Sequence, residues 1–74
     1  MSKGDVHTVP HSDGWANKVE GNSWVSNTAS TKAEAQARGR EMARRAKVEH
    51  HIHNKDGSIG QRNSYGSDPR RSKG

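Results

Sequence analysis

Thr31-Lys32-Ala33-Glu34-Ala35-Gln36-Ala37-Arg38-Gly39-Arg40-Glu41-Met42-Ala43-Arg44-Arg45-Ala46 opens with the spacing of a capping box. Thr31 is placed to cap the Glu34 amide, and Glu34 to reach back toward the cap, so a helix is expected over Lys32 to Ala46. Ala35, Gly39, Met42, Ala43 and Ala46 recur on one stripe, while Arg38, Glu41, Arg44 and Arg45 lie elsewhere on the cylinder. A stripe this small has little area to bury, but it lets the helix axis come close to a sheet that supplies the larger side chains. Glu34 with Arg38 and Glu41 with Arg45 are favourable i,i+4 pairs, each contributing about 0.2 to 0.5 kcal/mol.

Working outward, three short runs precede the helix: Val6 to His11, Trp15 to Glu20 and Ser23 to Thr28, separated by Ser12-Asp13-Gly14 and Gly21-Asn22. They read as a meander of strands. After the helix, Val48 to His53 and Ser58 to Tyr65 flank Asn54-Lys55-Asp56-Gly57, and Asp-Gly is a strong hairpin signal. The expected fold is α+β, a single helix on a short antiparallel sheet in the order β-β-β-α-β-β. It occupies residues 4–66, with 67–74 a flexible basic tail. Alternation groups Trp15 and Val19, Val25, Val48 and Ile52, and Ile59 with Tyr65 toward the helix. The other face presents Lys18, Glu20, Trp24, Ser26, Glu49, His51, His53 and Arg62, and nothing in the chain obviously covers it.

Composition limits what such a fold can do. The 74 residues include neither Leu nor Phe, so the core is thin and stability is expected to be low. With no cysteine, neither a disulfide nor a thiolate metal site can compensate, which fits a reducing compartment. The N-terminus lacks the apolar run of a secretory signal, and no stretch approaches the ~20 apolar residues that span a bilayer. A cytoplasmic protein without membrane contact is the expectation.

Three segments together resemble the DUF2188 family, small uncharacterised bacterial and phage proteins. They are His7-Thr8-Val9-Pro10-His11-Ser12-Asp13-Gly14-Trp15; the helix start Thr31 to Ala35 with Arg40-Glu41-Met42-Ala43; and His53-Asn54-Lys55-Asp56-Gly57-Ser58-Ile59 leading into Ser64-Tyr65-Gly66-Ser67-Asp68-Pro69. The likeness covers nearly the whole chain in order. It implies a compact single domain and a bacterial or phage source, and no established activity. Members of that family usually have an apolar residue before the Ile-His pair. This chain has His50 and His51 there, which leaves the burial depth of that strand open.

Catalysis is not expected. The sequence has no nucleophile-elbow or triad signature and no phosphate loop, and its Asp residues sit beside turn residues where they serve the backbone. Five histidines include His7 with His11, and His51 with His53 at i,i+2. Without cysteine or a spaced carboxylate they make no structural zinc set, so neither a metal nor a cofactor is expected. The net charge of +5 and a pI near 10.1 make polyanions plausible partners, although extra arginines on a solvated helix face have the same effect. The candidate nucleic-acid contacts are Lys18, Trp24 and Arg62 on the open sheet face, and Arg38, Arg40, Arg44, Arg45 and Lys47 on the helix. The competing expectation is a protein-interaction or self-assembly module that uses the open sheet face or a free edge.

Overall fold

Thr31 caps the helix as its spacing predicts: its hydroxyl accepts the Glu34 N–H at 3.2 Å in the computed structural model, which describes residues 4–65. The helix α1 runs Lys32–Ala46, and Lys47 ends it in the left-handed conformation at φ 58° and ψ 50°. Five strands surround it in chain order: β1 (Val6–His11), β2 (Gly14–Val19), β3 (Val25–Ala29), then after α1 β4 (Glu49–His53) and β5 (Ile59–Ser64). The fold is α+β in the expected element order. The expected tail over 67–74 lies outside the described residues.

The sheet order is β3-β2-β1-β4-β5, and it is mixed where a purely antiparallel sheet was expected. β1 pairs with β2, β2 with β3 and β4 with β5 in antiparallel fashion, but β1 and β4 run parallel, with Val6 opposite His50 and Thr8 opposite Ile52. The physical reason is the connection. A helix between two strands carries the chain back across the sheet, so the next strand enters in the same direction as the one it joins. The β4–β5 hairpin closes over Asn54 to Ser58, with Gly57 at φ +95° and the Gly57 N–H donated to the Asn54 carbonyl at 2.9 Å. Glu34 pairs with Arg38 as expected, whereas Glu41 pairs with Arg44 at 3.4 Å and not with Arg45.

Trp15, Val19 and Ile52 lie on the helix side by register, and the sheet carries two irregularities. At Asn17/Lys18, Val25 comes opposite Lys18 yet stays half-buried in step with Asn27 and Ala29, and at Ile52/His53, Ile59 comes opposite His53. The second bulge takes Ile59 off the helix side. Ile59 is consequently 55% exposed. Trp15 is half-buried beneath Lys32, whose Nζ lies 5.2 Å from the ring centroid, and so is not the fully buried anchor of a core.

The core under α1 mixes apolar and polar side chains. Val6, Ala35, Ala43 and Ile52 are buried there, together with Thr8, Asn17 and His50, which have no measurable exposure beyond 2%. His50 Nε2 lies 2.7 Å from Thr8 Oγ1, Thr8 donates to Asn17 Oδ1 at 2.5 Å, and Asn17 Nδ2 donates to Asn27 Oδ1 and to the Ala35 carbonyl, both at 2.9 Å. This chain crosses β4, β1, β2 and β3 and ends on the helix. Gly39 sits over its middle. A Cβ there would stand 2.5 Å from Asn17 Oδ1 and His50 Nε2 and 2.7 Å from Thr8 Oγ1, so only glycine lets the helix lie this close.

Candidate functional site

Two opposite surfaces carry the side chains that chemistry could use. On the open sheet face, His7, His51 and His53 converge because β1 and β4 place His7 opposite His51. The His7 and His51 rings stack at 4.6 Å, and His7 Nδ1 lies 3.0 Å from His53 Nε2. His53 Nδ1 faces the Gly57 carbonyl at 2.9 Å, while His7 Nε2 faces Glu20 Oε1 at 2.9 Å. The carbonyl and the carboxylate both accept, so all three contacts are made together only when the two rings share three protons and one positive charge, balanced by Glu20.

Beside them, His51 Nε2 lies 3.2 Å from Asp5 Oδ2 and 3.7 Å from Glu49 Oε1, and Arg62 Nε reaches Glu49 at 3.8 Å. Asp5, Glu49 and His51 are the group whose ligand atoms come close enough to share a metal ion, among the described residues. The donor chemistry fits hydrogen bonding better. A metal on His51 Nε2 would move its proton to Nδ1, which is buried without a partner, whereas metal-bound histidines normally donate that second N–H. Asp5 Oδ1 is already engaged by the Glu49 N–H.

The other surface is the outward side of α1. Arg38, Arg40, Arg44, Arg45 and Lys47 are all exposed there. Arg38 is committed within the fold: it donates to Glu34 at 3.3 Å and to the Thr28 carbonyl on edge strand β3 at 3.2 Å. Arg44 meets Glu41, while Arg40, Arg45 and Lys47 form no ion pair among the described residues. Lys18 and Arg62 share the open sheet face, and Trp24 is 64% exposed in the connection before β3. The eight sequence-derived contacts thus fall into two groups that cannot touch one straight ligand together.

Charge separates the two surfaces. With Lys32, the helix and its C-cap Lys47 carry six cations against Glu34 and Glu41, whereas Lys18 and Arg62 on the open face stand among Asp5, Glu20 and Glu49. A cup of about 320 Å³ beside the histidines includes His7, Lys18, Glu20 and His53, and its carboxylate opposes a phosphate. Sequence reasoning missed His50, which burial first, and then His51, Arg40 and His7, push down to about 4. The parity of Val48 and Ile52 includes position 50, but its residue type gave no sign of burial.

The family described as "Uncharacterized protein conserved in bacteria (DUF2188)" matches residues 6–65. The chain belongs to this family. It is also 39% identical over 67 residues to a Bacillus subtilis (strain 168) protein described as "Uncharacterized protein YdaT". That alignment takes in 90% of this chain and 44% of the relative, so the chain spans less than half of that protein's length. No solved structure matches at a significant level. Among the described residues, no helix is long and apolar enough to cross a membrane.

Proposed function

We propose that this DUF2188 domain is a non-enzymatic binding module that holds the phosphate backbone of nucleic acid on the outward surface of α1. Arg40, Arg44, Arg45 and Lys47 make the contacts. The observation that carries this reading is the exposure of these four cations over the second half of one helix, with Arg40, Arg45 and Lys47 in no ion pair among the described residues. Cations near a helix C-terminus also complement its dipole, which accounts for part of the charge at Arg44 and Arg45. It does not account for Arg40, which lies farther from the terminus than the one turn over which the dipole acts.

Phosphate contacts position without reading bases, so sequence preference is slight and binding weakens steeply with salt. Reversing Arg44 and Arg45 to Glu lowers affinity about equally for every sequence. Trp24→Ala matters only for single strands that stack on it. Unchanged affinity in the double reversal removes the helix from the interface.

A second reading, assembly with another chain, is favoured by the edge of β5, which pairs with β4 alone among the described residues. This strand has one charged residue, Arg62, and no Pro, and Ile59 at its start is exposed. Capture from bacterial lysate with and without nuclease separates the two. A defined protein that survives nuclease supports assembly, and material lost with nuclease supports the phosphate reading.

A further inference from the structure

α1 packs over β1 and β2 and leaves β5, the last strand of the sheet, largely exposed. The result is a groove of about 250 Å³ between the helix and β5, somewhat smaller than the roughly 300 Å³ at which small-molecule sites begin. Its helix wall includes Ala33, Ala37 and Arg40, and its strand wall is Gln61, Asn63 and Tyr65. His50 and Ile52 form the floor, and no carboxylate lines any part of it.

Each of these residues has a use toward one kind of ligand. Ala33 and Ala37 give a flat apolar wall, and Tyr65 gives an aromatic ring on which a planar group can stack. Gln61 and Asn63 offer amides, the side chains that pair with both donors and acceptors on a base edge. Arg40 brings a permanent cation to the same groove. His50 is fully buried with its Nε2 committed to Thr8, and its Nδ1 has no partner, so the floor is a neutral imidazole that does not repel the cation beside it.

We infer that this groove takes one unstacked base of single-stranded nucleic acid, its edge on Gln61 and Asn63, its face against Tyr65 and its phosphate on Arg40. The inference rests on the phosphate-binding reading and adds a discrimination that reading lacks. A duplex can lie on the helix, but its bases stay stacked and cannot enter. Arg40 belongs to both surfaces, which makes the groove continuous with the basic band.

Amide chemical-shift mapping tests this with a mixed-sequence single strand and with the same sequence as a duplex. The single strand is expected to shift Ile52, Gln61, Asn63 and Tyr65 as well as the helix, and the duplex to shift the helix alone. The double variant Gln61→Ala/Asn63→Ala, with amide dispersion verified, is expected to bind the single strand about tenfold more weakly and the duplex unchanged. Helix shifts with both ligands but silence in the groove would overturn the base site and leave phosphate binding standing. The absence of any shift with either ligand would overturn the phosphate reading itself.

Discussion

The His50 imidazole holds the Thr8 hydroxyl at 2.7 Å across the parallel β4–β1 pair, directly beneath Gly39. Thr8 has one proton and gives it to Asn17, whose amide nitrogen is committed to two acceptors, so His50 must be the donor through Nε2. The thin apolar core is thus supplemented by a buried hydrogen-bonded strip that fixes strand order and helix height together.

Gly39→Ala follows from that arrangement. Alanine is the better helix former by about 1 kcal/mol, but its methyl would meet three polar atoms inside ordinary contact distance. Overpacking and a broken buried hydrogen bond each cost about 1 to 3 kcal/mol, so the clash wins. Urea unfolding is expected to show a net loss of about 2 kcal/mol, whereas the exposed Ala37→Gly change loses only its propensity.

Acid should weaken the domain through His50. Its folded value is depressed to about 4 from 6.5, so the unfolded chain binds the extra proton first as pH falls. The stability from keeping this ring neutral is fully present above pH 6.5 and is lost as pH falls toward 4, a change of about 3 kcal/mol. Melting temperature measured between pH 7.5 and pH 4.5 is expected to fall, with a shallower slope in His50→Gln. An identical slope in the variant would assign the acid sensitivity to other groups.

Trp15→Ala tests how much of the core the aromatic supplies. A fully buried aromatic costs about 3 to 5 kcal/mol on truncation, but Trp15 is half-buried under Lys32. The variant is expected to keep a dispersed amide spectrum with a lower melting temperature. Asn17→Ala instead removes the acceptor of the buried Thr8 hydroxyl together with two donated bonds, to Asn27 and to the Ala35 carbonyl, and is expected to lose at least as much.

These contrasts show which parts of the fold are written locally. The helix was legible because Thr31 and Glu34 lie three residues apart and state its start without tertiary help. Ile59 falls off the helix side that its parity with Tyr65 predicts, because a bulge depends on the partner strand, which alternation along one strand cannot reveal. Gly60 marks the second bulge, since a Cβ there would strike Asn54, yet a glycine after Ile59 also reads as ordinary hairpin chemistry. The parallel β1–β4 pairing joins residues more than forty positions apart, and together with the close helix above Gly39 it buries His50. Of the proposed contacts, the helix arginines were visible as charge. Their division into committed Arg38 and available Arg40 and Arg45 needed coordinates.

Arg38 and Arg45 should therefore differ in binding. Arg38→Ala removes a bond to the β3 edge and one to Glu34, an exposed pair that contributes little, so oligonucleotide affinity is expected to change less than twofold, an estimate of roughly 0.4 kcal/mol. Arg45→Ala removes a cation with no ion pair among the described residues and is expected to weaken duplex and single strand alike. Fluorescence anisotropy with both variants measures the difference.

The dependence of oligonucleotide affinity on salt tests the phosphate-binding account most directly. Each phosphate neutralised contributes a slope of about −0.9 in log K against log salt for duplex DNA and about −0.7 for a single strand. Engagement of Arg40, Arg44, Arg45 and Lys47 predicts a duplex slope between about −2 and −4, reduced by about 2 when Arg44 and Arg45 become Glu. A slope near zero, or one that the double reversal leaves unchanged, would contradict it.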